Sequence, residues 1–170
     1  ARGIDTYVAD AGNSGISGLI IPDLPPEEAG ELQRAAVKHN ISLTFLVAPT
    51  SSKKRITIVD RASSDFVYAV TVAGVTGARS GFGRETDKYL EMLGRRLEKP
   101  FVAGFGIANA DDAVRLARKS AGVVIGSALV DIMRNNDSRS GIKLVGSLLK
   151  RIRKELDKSF SAEVCVGNKK

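Results

Sequence analysis

The sequence has little of what disulfide-bonded, membrane-spanning or base-stacking proteins need. Its one cysteine, Cys165, excludes a disulfide within the chain and is typical of a reducing compartment, so we expect a cytoplasmic protein. No stretch approaches the ~20 consecutive apolar residues of a membrane helix, and no membrane partner is expected. Tryptophan is absent and aromatic residues make up 5% of the chain. That scarcity argues against a nucleic acid partner despite the net charge of +7, because few side chains are available to stack on bases.

What the sequence does contain is an alternation of short apolar runs and amphipathic segments, which predicts strands alternating with helices. The runs are Gly18–Pro22, Ser42–Ala48, Phe66–Val72, Pro100–Ile107 and Gly122–Ser127. Because they are continuously apolar, they predict parallel strands covered on both faces, and hence an α/β fold. Residues 1–160 are predicted to form one domain and residues 161–170 a disordered tail. Five strand–helix units leave two architectures open. One is an open doubly wound sheet, and the other is part of a (β/α)8 barrel, which typically takes ~250 residues.

The last two apolar runs carry glycine at their ends. Gly104 and Gly106 end one run, Gly126 and Ser127 end the other, and a helix is predicted after each. Backbone N–H groups at such strand ends, beside helix N-termini, bind anions. In (β/α)8 barrels this position after the last two strands commonly takes a substrate phosphate. Tight packing of strand against helix is the alternative explanation for each glycine.

Four sequence blocks resemble the tryptophan synthase alpha chain family. They are GISGLIIPDLP at 15–25, VAGVTGAR at 72–79, GFGI at 104–107 and GSALV at 126–130, in the family's order and near its spacing. The resemblance implies a (β/α)8 TIM barrel of which this chain supplies strands four to eight. It further implies a lyase of tryptophan biosynthesis that splits indole-3-glycerol phosphate into indole and glyceraldehyde 3-phosphate. The implied partner is the beta chain, which carries the pyridoxal phosphate, so we expect no cofactor in this chain.

The same resemblance assigns residues to the phosphate of the substrate. Gly77, Gly106 and Gly126 match family positions whose backbone N–H groups contact the phosphate, and Ser127 adds a hydroxyl donor. Neutral N–H groups at a helix N-terminus bind a dianion without a lysine, and glycine lets the backbone approach closely.

Other residues are assigned to the indole end of the substrate and to the loop that covers it. Tyr68 and Phe105 match the family's aromatic residues beside the indole, with Ile20 as their apolar neighbour. A core aromatic with a satisfied hydroxyl is the alternative for Tyr68. Thr76 matches the threonine of a loop that closes over the site, and a simple turn residue is its alternative.

No residue of this sequence is assigned a catalytic role or a metal. The family's two catalytic carboxylates, a Glu and an Asp, lie on and after its second strand and match no motif here, so we expect this chain alone to be inactive. Asp23 can be read as a catalytic or metal-binding carboxylate, but the resemblance places it with Pro25 in a loop near the subunit contact. His39 is interpreted as a cation at a helix C-terminus or as a solvated residue, and not as a catalyst. Two other functions stay open: a non-catalytic phosphate-binding half-barrel, and another phosphate-binding TIM-barrel enzyme.

Overall fold

A computed structural model describes residues 3–71 and 83–167 of the chain, without the side chains of 162–167. The helices are α1 Ile4–Asn13, α2 Gly30–Lys38, α3 Lys53–Ala62, α4 Arg84–Arg96, α5 Ala110–Ala117, α6 Ser127–Arg134 and α7 Ser138–Gly167. The strands are β1 Gly18–Ile20, β2 Ser42–Thr44, β3 Leu46–Val47, β4 Val67–Val70, β5 Phe101–Gly104 and β6 Gly122–Val124. Within these described ranges, no helix has the combined length and apolar character that crossing a membrane requires.

All strand pairs are parallel, and their spatial order follows their order along the chain. β1 pairs with β2, and β3, β4, β5 and β6 form a second continuous set of neighbours. The predicted strand Ser42–Ala48 is interrupted at Phe45, so that its first part pairs with β1 and its second part with β4. A doubly wound sheet reverses its strand order at a switch point, and no reversal occurs among the described strands. The order is that of consecutive strands in a barrel wall.

The two faces of the sheet have different surroundings. Val67, Ala69 and Ala103 face the helices and are completely buried. On the other face, Ile20 is 45% and Val124 is 36% exposed. Thr44 and Tyr68, which lie on the same face, are 5% and 8% exposed, so this face is covered at the middle strands and open at the outer strands β1 and β6. The apolar runs are continuous because most side chains of this second face are apolar as well, which is typical of strands that line a barrel interior.

Local sequence signals explain where several helices begin. The Ser52 hydroxyl accepts a hydrogen bond from the Arg55 amide at 3.2 Å, and Asn109 caps α5 in the same way. A short 3₁₀ turn, Pro26–Glu28, precedes α2. α7 extends to Gly167, and between residue 160 and Gly167 the sequence contains no glycine or proline that would end it earlier.

At the edge of the sheet where the strands begin, a buried carboxylate accepts hydrogen bonds from the turn before β5. Asp60, at the end of α3, is 6% exposed and accepts hydrogen bonds from the amides of Glu98 at 2.9 Å and Lys99 at 3.2 Å. The Lys99 ammonium donates in turn to the Asp60 carbonyl at 2.8 Å. The turn that leads into β5 is therefore held to the end of α3.

Candidate functional site

The strands β4, β5 and β6 end level with one another. Val70 is paired with Gly104, and Gly104 is paired with Val124. Gly106 and Gly126 follow these paired positions at the same offset, so both lie just past the carboxyl edge of the sheet. This is the edge at which parallel α/β proteins place their ligand sites. The two glycine-bearing segments singled out in the sequence therefore lie next to each other in the fold.

The chain leaves β5 through two successive residues in the left-handed region. Phe105 and Gly106 both have a φ of 78°. Glycine adopts this conformation readily, whereas a phenylalanine in it crowds its own Cβ against the backbone. Phe105 is 54% exposed, and Gly106 is exposed beside it. The turn thus presents the aromatic ring of Phe105 and the backbone N–H of Gly106 at the edge of the sheet.

The Tyr68 ring, on the neighbouring strand, lies over Gly104. A Cβ built on Gly104 would overlap the hydroxyl oxygen and Cζ of Tyr68 and would lie 2.8 Å from its Cε1. Real Cβ atoms essentially never approach so closely, so only glycine fits at position 104 beneath this ring. The Tyr68 ring meets Phe105 edge to face, with centroids 5.9 Å apart and planes inclined by 78°. Burial raises the pKa of the Tyr68 phenol, which therefore stays neutral at physiological pH.

The start of α6 lies exposed at the same edge. Gly126 has a φ of −122° and a ψ of −77°, its carbonyl accepts from Leu129 at 2.9 Å and Val130 at 3.2 Å, and no side chain caps the helix. At the neighbouring helix α5, by contrast, the Asn109 side chain accepts from the Asp112 amide at 2.9 Å. The amides of Ser127 and Ala128 precede the first bonded amide of this helix, and they carry the positive end of the helix dipole. The amides that begin α6 are therefore available to an external acceptor.

The remaining predicted site residues are distributed as follows. Ile20 is 45% exposed at the end of β1, while its neighbours Leu19 and Ile21 pack against the core. Thr76 and Gly77 lie outside the described residues, so the predictions for them are not examined by the structure. Ser127 is exposed as the first residue of α6.

Asp23 and Pro25 line a cleft of about 240 Å³ beside the carboxyl ends of β3 and β4, together with Leu46 and Val70. In the part of the chain that the structure describes, no group of three or more His, Cys, Asp or Glu side chains is placed to hold a metal ion. Asp23 therefore has no such metal cluster around it among those residues.

His39 caps the C-terminus of α2, at the opposite edge of the sheet from Gly106. Its Nε2 lies 3.2 Å from Oδ1 of Asp5, and the Lys38 ammonium donates to the same carboxylate at 2.9 Å. Hydrogen bonding to Lys38, and more weakly to His39, keeps the pKa of Asp5 below its ordinary value. These contacts join α1 to α2.

Sequence reasoning missed Thr71, which immediately follows β4. Thr71 is completely buried, its amide donates to the Gly104 carbonyl at 2.7 Å, and its hydroxyl contacts the carbonyls of both Gly104 and Phe105. The sequence places Thr71 within the apolar run Phe66–Val72, and that position does not reveal a contact 33 residues away along the chain.

In chemical terms, the edge combines uncapped helix amides and a hydroxyl with an aromatic pair. The amides of Gly106 and of the start of α6, with the Ser127 hydroxyl, suit a phosphate or another compact anion. Tyr68 and Phe105 form an apolar surface next to these donors. A wider groove of about 520 Å³ between α6 and α7 is lined mainly by aliphatic side chains, among them Val130 and Ile142, and does not suit an anion.

Comparison with known protein sequences identifies the family. The model of the family described as tryptophan synthase alpha chain matches residues 1–158. The chain is 41% identical to the tryptophan synthase alpha chain of Geobacter sulfurreducens over 131 residues, which are 77% of this chain and 50% of that protein. It is 36% identical to the corresponding protein of Methanococcus maripaludis over 161 residues, 94% of this chain and 62% of that one. The chain thus spans between 50% and 62% of the length of these relatives.

Solved structures agree with the sequence relatives. A chain from the tryptophan synthase α2β2 complex of Pyrococcus furiosus superposes with a TM-score of 0.82 at 29% identity, over 89% of this chain and 61% of that one. Family match, sequence identity and parallel α/β architecture all lead to the same assignment. The chain belongs to the tryptophan synthase alpha chain family.

Proposed function

We propose that this chain supplies the substrate-binding wall of a tryptophan synthase alpha subunit, as strands four to eight of the (β/α)8 barrel. The reaction is the retro-aldol cleavage of indole-3-glycerol phosphate to indole and glyceraldehyde 3-phosphate in tryptophan biosynthesis. Parallel strands in sequential order support this placement, as does the share of the relatives' length that the chain spans. The observation that carries the proposal is the level ending of β5 and β6, which brings Gly106 and Gly126 together at the carboxyl edge.

Phosphate binding is the role of this edge. The amides of Gly106 and Gly126 and the amide and hydroxyl of Ser127 donate to the phosphate oxygens. The absence of a capping side chain at α6 supports this assignment, because a cap would compete with the ligand for the same donors. By resemblance, Gly77 provides a further amide.

The indole end of the substrate lies against the aromatic pair. Tyr68 and Phe105 already contact each other edge to face, and Phe105 keeps half of its surface exposed for a ligand ring. Ile20 extends this apolar surface at the end of β1. Thr76 belongs, by resemblance, to the loop that closes over the bound substrate.

Substrate binding and acid–base chemistry are assigned to different parts of the alpha subunit. The residues proposed here bind and orient the substrate, whereas the family's catalytic Glu and Asp match no motif of this sequence and are assigned to residues outside it. We expect no turnover from this chain alone.

The partner is a beta chain, which holds the pyridoxal phosphate, and the loop of Asp23 and Pro25 lies near that contact. The Pyrococcus furiosus relative is an α2β2 complex, which supports the assignment of such a partner. The compartment is the cytoplasm.

The phosphate assignment is tested by placing a negative charge at the start of α6. We expect Ser127→Asp to weaken binding of indole-3-glycerol phosphate by about 2 kcal/mol, or roughly 30-fold, because like charges a few ångströms apart repel even in a wet site. Isothermal titration calorimetry measures the effect. Ser147→Asp is the matched control, since Ser147 is exposed on α7. Equal affinities of Ser127→Asp and Ser147→Asp would refute phosphate binding at this helix.

A further inference from the structure

Thr71 holds two successive carbonyl groups of the neighbouring strand end. Its amide donates to the Gly104 carbonyl at 2.7 Å, and its hydroxyl oxygen lies 2.5 Å from that carbonyl and 2.8 Å from the carbonyl of Phe105. A hydroxyl has a single proton, and the Gly104 carbonyl is already served by the amide. Because a carbonyl oxygen accepts two hydrogen bonds and both carbonyls lie within hydrogen-bond distance of the hydroxyl, Thr71 shares its hydroxyl proton between the Gly104 and Phe105 carbonyls.

The held carbonyls flank the unfavourable backbone conformation of this edge. Phe105 has a φ of 78°, and, in the part of the chain that the structure describes, Asn40 is the other non-glycine residue with a positive φ. Left to itself, a phenylalanine relaxes toward negative φ, because positive φ crowds its Cβ. Such a relaxation rotates the peptide planes on both sides of Phe105. Hydrogen bonds from the completely buried Thr71 to both planes oppose that rotation.

Peptide planarity connects Thr71 to the Gly106 amide. The Phe105 carbonyl and the Gly106 N–H belong to one trans peptide, in which the two groups point in opposite directions. A hydrogen bond that fixes the carbonyl toward Thr71 therefore fixes the N–H away from Thr71, toward the exposed side of the turn. The same restraint sets the Phe105 backbone from which the ring reaches Tyr68.

We propose that Thr71 is a positioning residue of the substrate site, which directs the Gly106 N–H and places the Phe105 ring without touching the substrate. The identity of the ligand rests on the proposed function, whereas the direction of the Gly106 N–H does not. Substitution separates this role from simple packing. Thr71→Val keeps the shape of the side chain and removes the hydroxyl, while Thr71→Ser keeps the hydroxyl and removes the methyl group. Positioning requires that serine preserve the site and valine impair it, and packing alone requires the reverse order.

The experiment follows the Gly106 amide resonance in ¹H–¹⁵N correlation spectra of the full chain, first alone and then during titration with inorganic phosphate. We expect Thr71→Val to displace the free resonance and to weaken phosphate binding about tenfold. Thr71→Ser should leave the free Gly106 resonance in place and should keep the phosphate affinity within about twofold of that of the parent chain. Thr44→Val is the matched control, because Thr44 is also buried and lies on β2, away from this turn. It should leave the Gly106 resonance unchanged.

The outcomes separate this inference from the proposed function. A folded Thr71→Val chain with an unchanged Gly106 resonance and unchanged phosphate affinity overturns the role of Thr71. Should the valine chain not fold, Thr71→Ser decides: a folded serine chain that loses the parent resonance overturns the role, and one that keeps it supports the role. A parent chain that binds no phosphate while Thr71→Val still displaces the Gly106 resonance refutes the proposed function and leaves the positioning intact.

Discussion

A single methyl group at position 104 provides a sensitive test of the aromatic surface. In Gly104→Ala the added Cβ overlaps the hydroxyl oxygen and Cζ of Tyr68, and Cε1 lies 2.8 Å away. The contacts are with the hydroxyl end of a rigid and buried ring, so the ring must rotate away or the two strands must separate. Overpacking of this kind costs about 1–3 kcal/mol. Loss of the edge-to-face contact with Phe105 adds about 0.5–1.5 kcal/mol.

We therefore expect Gly104→Ala to lower the free energy of unfolding by about 2–4 kcal/mol, measured by urea denaturation. A double-mutant cycle identifies the cause. Once Tyr68→Ala has removed the ring, the second substitution meets open space, so the two effects should fall short of additivity by more than about 1 kcal/mol. Gly146→Ala is the control: a Cβ there meets nothing within 4 Å, and alanine favours the helical conformation of α7. Additive effects, or a loss below about 0.5 kcal/mol for Gly104→Ala, would refute the reasoning.

Two further predictions concern the supports of the fold. Asp60→Ala should lower the free energy of unfolding, measured by urea denaturation, by about 2–4 kcal/mol, because it leaves two backbone amides of the turn before β5 without their acceptor. The control is Asp111→Ala, at an exposed helix start, which should lower it by less than about 1 kcal/mol. Equal losses for the two variants would contradict the role assigned to Asp60. Asp5, whose pKa is lowered chiefly by the hydrogen bond from Lys38, should stabilise the fold above its ordinary pKa of 3.8 and lose that effect as the pH falls through its lower folded-state pKa. Thermal unfolding temperatures of Asp5→Asn and the parent chain should therefore differ at neutral pH and converge in acid, and a constant difference would exclude the carboxylate as the cause.

Features encoded by neighbouring residues could be predicted from the sequence. The apolar runs locate the strands, and Ser52 and Asn109 mark helix starts because their side chains bond amides a few residues away. The glycine-ended runs at Gly106 and Gly126 predict where the two strands end. The anion-binding character assigned to them remains a prediction.

Features that depend on contacts between distant residues could not be predicted in this way. The interruption at Phe45 arises because β2 pairs with β1 while β3 pairs with β4, which no local pattern shows. Thr71 contacts a strand end 33 residues away, and the positive φ of Phe105 occurs at that same contact. The exposure of Ile20 depends on which chain segments cover the face of the sheet that carries Ile20 and Val124. Sequence patterns record the apolar character of that face but not what packs against it.

The most direct measurement of the central claim is a ¹H–¹⁵N titration of this chain with indole-3-glycerol phosphate, and with the same compound lacking its phosphate. The account predicts that the amide resonances of Gly106, Gly126 and Ser127 shift together and saturate with one dissociation constant for the phosphorylated compound, and stay nearly unchanged with the other. Unshifted resonances at all three positions, or equal shifts with both compounds, would contradict the claim that this edge of the sheet binds the phosphate.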